Sequence, residues 1–336
     1  MRTISRPLLA ALVVVAGATL GAQSQEGFSF RSGVELVNVT ATVTDDDGRF
    51  VSGLRKEDFT VFEDGERQDV THFSNERVPV SLGIVLDTSG SMTPDKMSAA
   101  RSAIDRFIYD LLGRDDELFF LEFSNRPDLV QEWTTDRRAI SRAVSRVTPA
   151  GGTAMYDAIA DALPLAGIGR HPKKALLVIS DGNDTNSNVS VGELRQLIRE
   201  SEVLVYALGV DGTAVSIRTG PTIQLPMPMP FPIPGRRPQR RLPPIIGGGG
   251  SRVATAERVN AGALRQITDD TGGRTEIVRG FGDLDNATAR IADELSKQYY
   301  LGYASPGKND GRWHAIRVEV KDRRLAVRAR RGYIAS

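Results

Sequence analysis

No cysteine occurs in the 336 residues. Disulfides, thiolate nucleophiles, thiolate metal sites and a lipid-modified N-terminal cysteine are thereby excluded. Histidine is nearly as scarce, with only His72, His171 and His314. Two lie in segments that read as strands and one in a turn before Pro172, so none is placed beside a serine for a serine–histidine–acid triad. An excess of charge of one sign is also missing. Lys and Arg number 43 against 42 Asp and Glu, a formal net charge of +1, which gives no general reason to bind nucleic acid or an anionic membrane. The glycines Gly247 to Gly250 lack the Lys-Ser/Thr pair of a phosphate loop. No internal repeat is visible, and beyond the N-terminus no run is long and apolar enough to span a bilayer.

The N-terminus itself reads as a secretory signal over residues 1–22. Arg2 and Arg6 precede an apolar stretch from Leu8 to Leu20, and the small Gly21 and Ala22 lead into the polar Gln23-Ser24-Gln25. Leu20, the third residue before a cut after Ala22, is not ideal there, so cleavage a residue or two away is equally compatible. The alternative, an uncleaved anchor, is short of the roughly 20 apolar residues a span needs. The expectation is a secreted or periplasmic chain with no membrane span once the signal is removed.

Strand patterns dominate both ends of the remainder. Val37, Val39, Ala41 and Val43 alternate with Asn38, Thr40, Thr42 and Thr44, and Phe59 and Val61 flank Thr60 before the turn dipeptide Asp64-Gly65. Near the C-terminus Ile316, Val318 and Val320 alternate with Arg317, Glu319 and Lys321, and Leu325, Val327 and Ala329 follow the same period. Forty residues of strand seldom form a core alone. The N-terminal segment 23–79, chiefly its residues 34–75, is therefore expected to pair with 299–336 in a small β-sandwich. Between them, over 80–298, strands (80–87, 117–124, 128–133, 174–180, 202–209, 274–278) alternate with helices (95–112, 136–147, 154–166, 191–201, 257–271, 283–298). Runs such as Ala175 to Ile179 are apolar throughout, as in strands covered on both faces. This predicts an α/β, doubly wound, mostly parallel sheet inserted between the β-rich ends. A segment without period, 212–256, interrupts it with Pro226 to Pro234 and a run of glycines, a composition that favours polyproline II and coil. It follows a strand end and should emerge on the same side as the candidate site described next.

Two apolar runs of the central region end in an acidic residue. Ile84-Val85-Leu86 leads into Asp87-Thr88-Ser89-Gly90-Ser91, and Leu176 to Ile179 leads into Ser180-Asp181-Gly182; Gly151-Gly152-Thr153 lies between them. Ligands of open α/β sheets bind at the carboxyl ends of the strands. Asp87, Ser89, Ser91, Thr153 and Asp181 would there offer only oxygen, a donor set for one hard divalent cation such as Mg²⁺, Mn²⁺ or Ca²⁺. If hydroxyls dominate the inner shell, the ion stays electrophilic and an acidic oxygen from a partner can complete its octahedron. No catalytic base is required.

This set resembles the von Willebrand factor A-type domain, whose metal-ion-dependent adhesion site has the pattern Asp-x-Ser-x-Ser, a distant Thr and a distant Asp. The resemblance covers roughly 80–298, and the β-rich ends and cysteine-free exported architecture are similar to bacterial von Willebrand-related proteins common in acidobacteria. It implies Ser89, Ser91 and Thr153 as direct ligands, with Asp87 and Asp181 direct or water-bridged. It further implies metal-dependent adhesion to a protein partner that presents an acidic side chain, rather than an enzyme. An extracytoplasmic scaffold with a structural or vestigial metal site is the alternative.

Other chemistries fit less well. Asp87-Thr88-Ser89 has Ser89 where a haloacid dehalogenase-type phosphatase needs a second Asp, and no Gly-x-Ser-x-Gly elbow is present. Asp95 reads as a solvated helix-start residue, and Asn183, Asp184, Asn186 and Asn188 as a polar turn. Arg323, Arg324, Arg328, Arg330 and Arg331 read as the solvated face of an edge strand. Partner identity and oligomeric state are not encoded in any motif.

Overall fold

A computed structural model describes residues 35–211, 259–305 and 310–335; the expected signal 1–22 and the insertion 212–256 lie outside the described residues. Four strands come first: β1 (Glu35–Thr44), β2 (Phe59–Glu63), β3 (Glu66–Gln68) and β4 (Val70–Ser74). Asp64 (φ 51°) and Gly65 (φ 88°) turn β2 into β3, the left-handed pair that a two-residue hairpin demands.

The chain then enters an α/β unit. Its elements are β5 (Val80–Asp87), α1 (Pro94–Arg106), β6 (Glu117–Phe123), β7 (Pro127–Thr134), α2 (Arg137–Arg146), α3 (Met155–Gly167), β8 (Lys173–Ser180), α4 (Val191–Glu200), β9 (Leu204–Val210), α5 (Ala261–Thr268), β10 (Thr275–Val278) and α6 (Phe281–Lys297). They form a six-stranded sheet in the order β10-β9-β8-β5-β6-β7. The strands run parallel except β7, which pairs antiparallel with β6. Leu82, Ile84 and Leu86 of β5 pack on α1 and α6 on one face, while Val85 meets Phe119, Val178 and the apolar side of α3 on the other. All eight residues of β5 are buried, which fits the consecutive apolar residues Ile84-Val85-Leu86 in place of an apolar–polar alternation. Among the described helices none is long and apolar enough to cross a membrane.

The chain ends in β11 (Tyr299–Ser305), β12 (Trp313–Val320), β13 (Ala326–Ala329) and β14 (Gly332–Ile334). Two antiparallel four-stranded sheets result, β13-β1-β11-β4 and β14-β12-β2-β3, and each draws strands from both ends of the chain. Val37, Val39 and Ala41 of the first sheet share a core with Phe59, Val61 and Ile316 of the second and with Tyr299, Leu301 and Tyr303. Each such side chain taken out of water contributes on the order of 2 kcal/mol; neither end alone could assemble that set.

One expectation needs correction. Arg323, Arg324 and Arg331 are exposed as expected, but Arg328 is half-buried and Arg330 buried. Arg328 donates to the buried Glu294 of α6 and, at 2.7 Å, to the carbonyl of Gly273. Arg330, only 9% exposed, pairs with Glu202 at 3.1 Å, and Arg331 reaches Asp270 at 3.5 Å. β13 is a sheet edge, yet that edge abuts the α/β unit, so Arg328 within it and Arg330 just after it meet carboxylates there, while Arg331 stays in water.

Candidate metal-binding site

The two central strands place the acidic residues. β5 is bracketed by β6 and β8, with Asp87 opposite Phe123 and Leu86 opposite Ile179. Asp87 and the Ser180-Asp181 pair thus emerge side by side at the carboxyl end of the sheet, where the strands leave their backbone partners and the loops begin.

The loop after β5 is pinned by its own hydrogen bonds. The backbone N–H and the hydroxyl of Thr88 both donate to the carbonyl of Phe123, at 2.8 and 2.9 Å. Asp87 Oδ1 accepts the N–H of Ser89 at 2.9 Å, and Asp87 Oδ2 accepts the hydroxyl of Ser180 at 2.5 Å. This folds the loop back so that the Oγ atoms of Ser89 and Ser91 lie 2.9 Å apart. Alternate residues of the loop therefore do present their hydroxyls together.

The loop carrying Thr153 is laced to the first one. Ala150 N–H donates to Thr88 O at 2.8 Å and Gly90 N–H to Gly151 O at 3.0 Å. Gly151 adopts φ 82°, a backbone conformation that favours glycine, and a Cβ there would also stand 2.6 Å from the side-chain amide of Asn125. Asn125 Oδ1 accepts from Gly152 N–H at 2.7 Å. Thr153 is held by its backbone: its N–H donates to Thr185 Oγ1 at 3.1 Å and its carbonyl accepts from Thr185 and Asn186.

On the third loop, Asp181 accepts the backbone N–H of Asn183 at Oδ1 (3.3 Å) and the ammonium of Lys96 at Oδ2 (2.9 Å). The Asn183–Asn188 segment is a polar turn that supports its neighbours. Asp184 Oδ1 takes the N–H groups of Met155 and Tyr156 at the start of α3, and Asn186 donates to the carbonyl of Asn125. Asp95 is exposed in the first turn of α1, beside Thr93, whose hydroxyl caps the helix.

Asp87 and Asp181 are both fully buried, Ser89 and Thr153 nearly so, and Ser91 is half-buried. Burial pushes the Asp87 carboxyl up to about 6, against the lowering effect of its bonds from Ser180 and Ser89, with the charge of Asp181 adding to the rise. The two carboxylates and the adjoining Ser89 and Ser91 hydroxyls, with Thr153 on a loop laced to theirs, are all oxygen donors of the kind a hard divalent cation takes; the ammonium of Lys96 offsets only one of the two buried carboxylates, and such charge is costly unless balanced. The residues present thus fit an ion.

Sequence reading missed two members of this arrangement. Ser180 reads as the last residue of a strand, yet its hydroxyl orients Asp87 and accepts the N–H of Gly182 at 2.9 Å. Lys96, which falls inside the expected helix 95–112 without being singled out, is 3% exposed. A signal was available: Lys96, Ala100, Ala103 and Phe107 share one helical stripe, and the last three are apolar.

Comparison with known proteins gives a family. Residues 82–183, which include all five candidate ligands and Lys96, match the model of the von Willebrand factor type A domain. An uncharacterized protein of Synechocystis sp. is 30% identical over 137 residues, 40% of this chain and 32% of that one. The inter-alpha-trypsin inhibitor heavy chain H2 of Mus musculus is 24% identical over 148 residues, 40% of this chain and 16% of that protein. The match thus spans a third or less of the length of these curated relatives. Among solved structures, a von Willebrand factor type A protein from Catenulispora acidiphila is 16% identical, with 89% of this chain and 72% of that one aligned at a TM-score of 0.46. Proximal thread matrix protein 1 from the mussel byssus, with a zinc-occupied MIDAS motif, is 15% identical over 70% of this chain and 50% of that one at a TM-score of 0.47.

Proposed function

Since the chain carries a von Willebrand factor type A domain, we propose that it is an exported adhesion protein. It binds one divalent cation through Asp87, Ser89, Ser91, Thr153 and Asp181, and holds a protein partner through an acidic side chain. The signal over 1–22 directs export, the domain over 80–298 carries the ion, and the paired ends 23–79 and 299–336 present it. The observation that carries this reading is the 2.9 Å approach of the Ser89 and Ser91 hydroxyls on a loop whose Asp87 is buried and already oriented by Ser180.

A bound Mg²⁺, Mn²⁺ or Ca²⁺ supplies an electrophile with a coordination position left for an outside oxygen. The chain's own residues do the rest. Ser180 and the Ser89 N–H aim the Asp87 carboxylate, the Thr88–Phe123 bonds fix the loop that bears both serines, and Thr185 with Asn186 fixes Thr153. Neutral hydroxyls bring no formal charge, so the ion keeps its pull on an anionic partner group. Nothing in this arrangement calls for a proton transfer or a nucleophile.

Calorimetric titration of Mg²⁺ and Mn²⁺ into the wild type and into Ser89→Ala tests the reading. The expected result is saturable one-site binding that the variant loses while keeping its fold. An absence of ion binding to the wild type refutes the metal reading and leaves the extracytoplasmic scaffold, with the sandwich as the contact surface. Partner capture with and without chelator then asks whether adhesion follows the ion.

A further inference from the structure

Lys96 is the residue that the metal-site pattern does not account for. It stands in the first turn of α1, three residues past the cap Thr93, and its side chain is turned inward to 2% exposure. Its ammonium donates to Asp181 Oδ2 at 2.9 Å, and that carboxylate has no exposed surface. Burying a lysine this fully is unfavourable unless its charge is used. The charge here lies against one of the two carboxylates expected to serve the ion.

We propose that Lys96 sets the charge of the ion site, so that the site loaded with a divalent cation is one unit positive and demands an acidic partner group. The inference rests on the metal reading above. By formal charge, Asp87, Asp181 and Lys96 together bring one net negative charge to the site. A divalent ion turns it to one net positive charge, and a single carboxylate from outside brings it to zero. Without Lys96 the two aspartates would neutralise the ion by themselves, and the pull on a further anion would be weak. Lys96 also engages Asp181 Oδ2, so this oxygen is contested between ammonium and ion. Binding of the ion alone is thereby weakened, and binding of ion and carboxylate together is favoured. By linkage each strengthens the other by the same factor. Lys96 is a positioning and charge-setting residue, not a ligand.

The size of the effect follows from Coulomb's law. An ion that Asp181 reaches directly or through one water lies within roughly 7 Å of the ammonium, given oxygen–ion distances of about 2.1–2.6 Å. Even at the dielectric of bulk water, removing a unit charge at that range from a divalent ion is worth about tenfold in affinity, and more in a buried site.

The test is calorimetry of Mn²⁺ into the purified chain and its Lys96→Gln and Lys96→Arg variants. Gln keeps a donor for Asp181 but no charge; Arg keeps the charge. Lys96→Gln should bind Mn²⁺ at least about tenfold tighter than wild type, and Lys96→Arg within a few-fold of it. A merely structural lysine predicts that both variants weaken binding, and that result overturns the proposal. A second arm uses wild type alone, with sodium acetate replacing chloride at constant ionic strength. Acetate should tighten Mn²⁺ binding after correction for acetate–Mn²⁺ complexation, and an unchanged affinity overturns the proposal even if Lys96→Gln fails to fold. Ion binding by wild type with Lys96→Gln equal or weaker defeats this inference alone. No ion bound by wild type or Lys96→Gln defeats it together with the metal reading.

Discussion

Replacing Lys173 with methionine should stabilise the protein at neutral pH and flatten its response to alkali. Lys173 opens β8 at the end of the sheet opposite the candidate site, and it is 5% exposed. Its ammonium donates to the carbonyl of Leu295 in the last turn of α6. Burial pushes its pKa down from 10.5 to about 7; nearby Glu294 and Asp116 oppose this, while Arg77 adds to it. The folded value lies below the unfolded one, so between them the unfolded chain binds more protons, and stability rises as pH rises through that window. Each pH unit is worth about 1.4 kcal/mol. Raising the pH from 7 to 9 should therefore add on the order of 2 kcal/mol from this group, and the gain is complete only above about 10.5. At pH 7 the charged amine costs a few kcal/mol relative to a neutral one, and losing the bond to Leu295 O returns about 1 kcal/mol of that. Lys173→Met should come out ahead by roughly 2 kcal/mol at pH 7, with the advantage shrinking toward pH 10. Urea unfolding followed by circular dichroism at pH 6, 7, 8 and 9 reads both quantities. Identical pH slopes in wild type and Lys173→Met would refute the reasoning, as would a variant less stable at pH 7 than at pH 9 relative to wild type.

Three further outcomes follow from single contacts. Gly182→Ala should lower stability by about 1–3 kcal/mol, because Gly182 sits at φ 77° and the new Cβ would stand 2.8 Å from the carbonyl of Asn260; thermal melts measure it. Gly83→Ala, which would drive a Cβ to 2.2 Å from the Phe119 ring and 2.6 Å from Leu176, should cost about 1–3 kcal/mol or more by overpacking, seen as a shifted urea midpoint. Glu294→Ala should cost about 3–5 kcal/mol, since this buried carboxylate receives Thr42, Tyr206 and Arg328 at once. A loss within error of zero in urea titration would show that the network contributes little.

Much of this architecture is legible in one dimension. β5 spans the expected 80–87, α6 (Phe281–Lys297) falls close to the expected 283–298, α1 starts within a residue of the expected helix 95–112 but ends at Arg106, and the turn at Asp64-Gly65 takes the left-handed backbone its residues favour. These features depend on neighbours a few positions apart, so period and turn chemistry suffice. The Asp87–Ser91 loop is local in the same sense: the bond between Ser89 N–H and Asp87 Oδ1 spans two residues.

What the sequence by itself determined was thus the kind and order of elements, and the oxygen-bearing residues at strand ends. Tertiary structure alone decided which distant groups meet. Lys96 finds Asp181 across 85 positions, Ser180 finds Asp87 across 93, and Thr42 finds Glu294 across 252. The arginines near the C-terminus look like a solvated face because charge on a strand usually faces water. Arg328 and Arg330 instead become ties between the sandwich and the α/β unit because the fold brings Glu294 and Glu202 to that edge. A side chain's own chemistry states what it can bond to. The chain's path through space decides which partner arrives, and a buried charge is tolerated only where one does.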